Sequence, residues 1–279
     1  MVSVVPSADI NLFYRRIARL YDAWDAHIPV DNIVIPVGQY DDVEYCKSFT
    51  IEEWLFNIEI PDILIIFGKD SIQFLATRKK IDYLKPLQEK TPNNGKIPKI
   101  DLLVRDKTDS NRSNFEKILQ NLKSSNRVGV LAKDTFSGDF YDECVKNIFK
   151  GEHSFEKVDV SAAIAYIVAV KEESELQYIQ KACNATETTY AKVLCKELVG
   201  IIDKEKRVSH KKLSEKLNSA LTKEAGRFLE GIDARLVDTC YEPIIQSGGN
   251  YSLKYSLSSN QDDIHFGTII SSLGVRYKR

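Results

Sequence analysis

The chain has 279 residues, 43% of them hydrophobic and 28% charged, with 39 Lys and Arg against 40 Asp and Glu for a net charge of −1. That length holds about two domains, and the composition is that of a folded chain rather than a disordered one. The balanced charge excludes the basic excess of a general nucleic-acid binder, and the longest apolar run, residues 161–170, is too short to span a bilayer.

A helix is predicted over residues 9–26, because Ile10, Phe13, Ile17, Leu20 and Trp24 recur at three- and four-residue steps. A strand follows at 32–37. Thr50 is expected to open a short helix, with Glu53 three residues on completing a capping box. The apolar runs 63–67 and 72–77, joined by Gly68-Lys69-Asp70, read as a hairpin. Residues 79–87 read as a helix and 91–98, rich in Pro, Asn and Gly, as a surface loop. Then come a strand at 100–105, a helix at 114–123 with Phe115, Ile118, Leu119 and Leu122 on one face, a strand at 127–131 and a helix at 138–149. Strands alternating with amphipathic helices predict an α/β lobe with a mixed sheet, closed by a helix over 161–170.

Lys171-Glu-Glu-Ser-Glu175 is a charged junction, and the domain boundary is placed there, giving 1–171 and 172–279. A long helix is predicted from 173 to about 202, burying Leu176, Ile179, Ala182, Cys183, Thr186 and Tyr190, and a second over 209–225. Beyond Gly231 the expected strands are 235–239, 251–257, 268–273 and 275–278. The last two read as the opening of an antiparallel meander, with 275–279 left as an unpaired sheet edge and 230–279 expected to fold poorly when this chain is expressed by itself.

The cysteines Cys46, Cys144, Cys183, Cys195 and Cys240 are odd in number and widely spaced, which predicts free thiols in a reducing compartment. Residues 1–10 lack a basic stretch followed by an apolar one, so no signal peptide is expected. The cytosol or nucleus is therefore the expected location. No cofactor is called for. His27, His153, His210 and His265 share no metal-ligand spacing. Trp24 and Trp54 read as core residues. The acidic stretch 39–62 (Asp41, Asp42, Glu44, Glu52, Glu53, Glu59, Asp62) and the basic stretch 78–107 read either as solvated surface charge or as faces for partners of opposite charge.

An α/β lobe, a charged junction, two helices and then short strands resemble creatinase and the Xaa-Pro aminopeptidases. The resemblance implies a creatinase-type α/β lobe followed by the first part of an α+β pita-bread domain. Residues 241–255, from Tyr241-Glu-Pro243 through Ser247-Gly-Gly-Asn250 to Lys254-Tyr255, are similar to the segment that carries the catalytic histidine. In active members a histidine precedes the tyrosine; here it is Lys254. Ile269-Ile-Ser-Ser272-Leu-Gly274 is similar to the segment with the first metal-binding aspartate, whose place Ser272 takes. A two-metal hydrolytic site needs anionic ligands and a bridging water of lowered pKa. Serine is a weak neutral ligand, and a lysine ammonium offers no lone pair. Loss of both positions implies a pseudo-aminopeptidase without metal, with Ser247, Gly248, Asn250 and Lys254 lining a cleft that holds a peptide. A metal-dependent Xaa-Pro-type aminopeptidase with unusual ligands is the alternative.

A closer resemblance runs along the whole chain: Phe13-Tyr14-Arg15-Arg16, Trp54-Leu55-Phe56, Tyr166 to Glu172, Pro243 to Tyr251 and His265-Phe266-Gly267 are similar to the large subunits of the FACT histone chaperone. This implies a nuclear, chromosome-bound, non-catalytic histone-binding module. It would serve nucleosome disassembly and reassembly during transcription elongation, DNA replication and repair. Implied partners are core histones and nucleosomes, the HMG-box small subunit through regions outside this chain, and the replication or transcription machinery, with no membrane.

Overall fold

The computed structural model describes residues 7–39, 46–90, 97–106, 108–150, 155–254 and 256–278. The chain divides into two compact units, Met1–Val170 and Lys171–Arg279. The expected loop residues 91–96, the acids Asp41, Asp42 and Glu44, and His153, Tyr255 and Arg279 lie outside the described residues.

In the first unit α1 (Ile10–His27) starts at Asp9, whose carboxylate accepts the Leu12 N–H at 3.1 Å. Its apolar stripe, Phe13, Ile17, Leu20 and Trp24, is buried. The strand β1 (Asn32–Val37) follows, then α2 (Lys47–Phe56), the hairpin β2 (Ile63–Gly68) and β3 (Ser71–Ala76), α3 (Arg78–Glu89) and β4 (Lys99–Val104). Next come α4 (Arg112–Leu122), β5 (Arg127–Val130), α5 (Asp139–Cys144) running on into a π turn (Val145–Phe149), β6 (Glu156–Asp159) and α6 (Ser161–Ala169). The six strands form one sheet in the order β4-β3-β2-β1-β5-β6. The pairs β1–β2 and β2–β3 are antiparallel, and β3–β4, β1–β5 and β5–β6 are parallel. The sheet is mixed, as expected.

Alternation along the strands feeds two cores. Ile33, Ile35, Ile63, Ile65, Phe67, Ile72 and Phe74 meet Phe13, Ile17, Trp24, Trp54, Leu84 and Ile164 on one face. Val34, Leu64, Ile66, Leu75 and Val128 meet Phe115, Ile118, Phe140 and Ile148 on the other. The lobe is thus a three-layer α/β/α unit.

Two expectations here are overturned. Thr50 does not open α2: the helix begins at Lys47, and Asp134 takes both the N–H and the hydroxyl of Ser48, at 2.7 and 2.8 Å. The cap comes from a residue far along the chain, so no local box marks it. Glu52 is not one of the surface charges of the acidic stretch, since it is fully buried and accepts the Ile60 N–H. Strand β6 was not foreseen, because its Glu-Lys-Val-Asp sequence carries no apolar alternation and it sits at a sheet edge.

The second unit opens with α7 (Glu173–Thr189), a π segment (Tyr190–Cys195) and α8 (Lys196–Ile202), followed by α9 (His210–Lys223) and the short α10 (Ala225–Phe228). Four strands complete it: β7 (Val237–Thr239), β8 (Ile244–Ser247), β9 (Ile269–Ser272) and β10 (Val275–Tyr277). The buried side of α7 differs from the expected one. Leu176 and Ile179 are 48% and 45% exposed, and Tyr190 and Cys183 are exposed too. Of the expected set Ala182 and Thr186 are partly buried; Ala185, outside that set, is fully buried and packs with Ala182 and Tyr178 in a cluster that includes Val275 and Tyr277 of β10, and Thr189 is buried too. Small side chains let the strand approach the helix closely, and Thr186 Oγ1 accepts the Val275 N–H at 3.1 Å.

The β-structure of this unit also differs. The described residues of 251–257 form no strand, while Ile244–Ser247 does. β9 and β10 do not pair with each other; β9 pairs antiparallel with β8, and β10 with β7. Leu273-Gly274 carries the chain on from β9 to β10 along the same partner strand, with the Cys240 N–H donating to Gly274 O between the two ladders. Residues 275–277 are therefore paired on one side, with β7, and remain an edge of that two-stranded ladder on the other. No described helix is long and apolar enough to cross a membrane.

Candidate functional site

The segments similar to the catalytic ones lie on a bent two-stranded ribbon. Val275 pairs with Thr239, the Cys240 N–H donates to Gly274 O at 2.9 Å, and Ile244 then pairs with Ser272. Between Cys240 and Ile244 one strand has two residues more than its partner, so Tyr241–Pro243 bulge out of the ladder. From this bulge Tyr241 reaches Ser272: hydroxyl to hydroxyl is 2.8 Å. Burial pushes the neighbouring Cys240 thiol up from its ordinary value.

Ser247 ends β8, three register steps from Ile244 and Ser272, about 10 Å along the strand. Gly248 and Gly249 follow with φ of +87° and +99°, a conformation that costs other residues energy, and the chain leaves the ladder there. Asn250 and Lys254 are exposed. Apolar residues at 251, 253 and 257 suggested a strand, but the Gln246 side chain supplies the partner that a strand would. It accepts the Ser252 N–H at 2.7 Å and donates to Ser252 O at 2.8 Å, and Leu253 is left 86% exposed.

The feature that the sequence did not announce is a buried network on His210. His210 is 3% exposed on the first turn of α9; its Nδ1 lies 2.6 Å from Asn260 Oδ1 and its Nε2 2.6 Å from Ser247 Oγ. Asn260 donates through Nδ2 to Asp262 and accepts the Asp262 N–H through Oδ1. Its Oδ1 is therefore the acceptor, which puts the proton of a neutral His210 on Nδ1. Nε2 then accepts from the Ser247 hydroxyl, and that oxygen accepts the His265 N–H at 2.7 Å. The same loop caps the helix: Asp262 O and Asn260 O accept the His210 and Lys211 N–H groups, and Ser209 Oγ accepts that of Lys212. Serine, histidine and asparagine are aligned as in a nucleophilic relay. Here the serine oxygen is buried and already accepts a backbone N–H, so the arrangement docks residues 259–265 onto α9. The three residues stand 37 and 50 positions apart, and no spacing rule finds them.

The candidate positions thus fall into separate settings. Ser247 is engaged inward, Gly248, Asn250 and Lys254 line the exposed loop, and Ser272 faces Tyr241 at the far end of the ladder. Among the described residues no group of three or more His, Cys, Asp or Glu gathers where a metal could be held. Neither Lys254, which is exposed, nor Ser272, bonded to Tyr241, is an anionic donor of the kind a two-metal hydrolytic centre needs.

The model of the FACT complex subunit SPT16 N-terminal lobe domain matches residues 8–163, more than half of the chain. The chain belongs to the SPT16 family. It is 34% identical over 273 residues to the FACT complex subunit spt-16 of Caenorhabditis elegans, covering 95% of this chain and 26% of that protein. The chain spans about a quarter of the length of the curated SPT16 relatives it matches. The N-terminal domain of SPT16 from chickpea superposes with a TM-score of 0.86 at 28% identity, over 98% of this chain and 65% of that one. An Xaa-Pro dipeptidase from Bacillus anthracis matches with a TM-score of 0.56 at 15% identity, over 95% and 61% of the two chains. That second likeness is one of fold, and the creatinase-type architecture is shared between SPT16 domains and these peptidases.

Proposed function

We propose that this chain is a non-catalytic histone-binding module of a FACT-type chaperone, acting in the nucleus on chromosomes as nucleosomes are taken apart and rebuilt. Kinship with SPT16 subunits along nearly the whole chain is the observation that carries this reading. Transcription elongation, DNA replication and repair are the settings in which such a module serves. Its partners are core histones and nucleosomes, the replication or transcription machinery, and the HMG-box subunit through regions outside this chain.

Residues 1–171 act as the creatinase-like lobe and 172–279 as part of the pita-bread domain. Within the latter, the loop carrying Ser247, Gly248, Asn250 and Lys254 is the peptide-holding element. Ser247 fixes the base of the loop through His210, while the glycines leave backbone groups open to an extended segment. Replacement of catalytic groups by Lys254 and Ser272 supports holding over cutting.

Titrating core histones and their isolated tails with the chain at near-physiological salt tests the reading. Saturable binding weakened by Asn250→Ala and Lys254→Ala supports it, and absence of measurable binding sinks it. Release of the first residue from X-Pro peptides with manganese or cobalt, abolished by chelator, would instead establish the peptidase alternative.

A further inference from the structure

The first unit carries a polar cleft of about 620 Å³ between the starts of β3 and β4 and the last turn of α4. Gln73 lines it. Along β3, Ile72, Phe74 and Ala76 enter one core and Leu75 the other, so Gln73 occupies a place on the Leu75 face where an apolar side chain belongs. It is 4% exposed, and its Oε1 has no hydrogen-bond partner among the described residues. A buried carbonyl oxygen left in this state is costly and calls for a donor. In the register Gln73 stands beside Asp101 of β4, one strand spacing or about 4.8 Å away. Asp101 also lines the cleft, and Lys99 approaches its Oδ2 at 3.4 Å.

The adjoining sheet edge has a gap in its capping. The Arg105 N–H donates to Ala76 O, so alternation turns residues 101 and 103 toward β3 and residues 100, 102 and 104 outward. Gln88 Nε2 caps Ile100 O and Asn114 Nδ2 caps Val104 O, both at 2.8 Å. Leu102 lies between them, lines the cleft and has no such cap among the described residues. Three lysines and three aspartates line the cleft, so net charge does not select its ligand and hydrogen-bond geometry does.

We propose that this cleft takes an arginine side chain from an extended peptide whose backbone pairs with Leu102 at the β4 edge. The guanidinium bridges the Asp101 carboxylate and Gln73 Oε1. A strand added beside β4 lies one spacing from Asp101 and two from Gln73, about 10 Å, which an extended arginine and one hydrogen bond span. The planar fork serves two neighbouring acceptors at once, whereas a lysine ammonium is a point donor. This cleft lies in the other unit from the proposed histone-holding loop, and its ligand chemistry is independent of that assignment.

The test is fluorescence anisotropy of the full chain with a labelled Thr-Val-Arg-Val-Thr peptide and its lysine counterpart, with N-acetylarginine methylamide as a competitor. The arginine peptide is expected to bind saturably, about tenfold tighter than the lysine peptide and about tenfold tighter than to Gln73→Leu. Leu102→Pro is expected to weaken the peptide and leave the methylamide unaffected, because only the peptide uses the edge. Gln73→Leu is expected to melt no lower than the unaltered chain, since it removes an unpaired buried acceptor. No saturable arginine binding, equal binding of the lysine peptide, or an unchanged affinity in Gln73→Leu overturns the proposal. A peptide insensitive to Leu102→Pro overturns the edge pairing.

Discussion

His210 holds together residues that lie far apart in the chain. Replacing it by phenylalanine keeps the volume but leaves Ser247 Oγ without the acceptor for its proton and Asn260 Oδ1 without the imidazole donor. Ser247 is buried while Asn260 is exposed and keeps the Asp262 N–H, so at about 1–3 kcal/mol for one unsatisfied buried group His210→Phe is expected to lower stability in urea by about 1–3 kcal/mol. A loss under about 0.5 kcal/mol would show that the network contributes nothing. Lys254 and Ser272 could be singled out from sequence because the resemblance expects a chemically demanding residue at each place. His210 could not, because its importance lies in burial and in partners brought by the fold.

At the scale of elements, α7 shows how a helix can be located correctly and its buried side misjudged. Weight given to large apolar residues adds Leu176 and Ile179 to the buried side, yet the side that meets β10 draws on Tyr178, Ala182, Ala185 and Thr186. Leu176→Gln and Ile179→Gln are therefore expected to change the stability of this chain by less than about 0.5 kcal/mol. Leu194→Ala, in the buried cluster with Leu213 and Leu217, is expected to cost about 2–5 kcal/mol. A comparison of denaturation midpoints decides between the two sides.

The link between β1 and β5 shows the same dependence on contacts across the sequence. Asp31 accepts the N–H groups of Arg127 and Asn126, and these bonds hold its carboxyl below the ordinary range. A folded pKa below the unfolded value near 3.9 means that the stabilisation is present above that value and is lost as pH falls through the folded pKa. Asp233 behaves alike, held at about 2 chiefly by its hydrogen bonds from Arg235. Acid unfolding is thus expected to steepen below about pH 4. Asp31→Asn should flatten the part of that limb due to the β1–β5 link, as followed by circular dichroism from pH 5 downward; an unchanged limb would show that Asp31 contributes nothing.

For the whole molecule, the two units differ in how their backbone is protected. The first has a six-stranded sheet with apolar cores on both faces, while the strands of the second are paired only in twos. Two-stranded pairs are marginal without further packing. In hydrogen exchange, amides of 237–247 and 269–277 are expected to exchange faster than those of β1, β2 and β3. Equal protection would show that α7 and α9 stabilise the ribbon as firmly as the layers stabilise the sheet.

The amino-acid sequence by itself determined the succession of helices and strands in the first unit apart from β6, the charged junction at Lys171, and the family. These rest on periodicity and on segments that read locally. Only the tertiary structure decided that Asp134 caps α2, that small residues form the buried side of α7, that β9 and β10 run on as one side of a ribbon, and that His210 ties Ser247 to Asn260. Each of those depends on a partner distant in sequence, and local patterns carry no information about which distant group will supply a hydrogen bond or a packing surface.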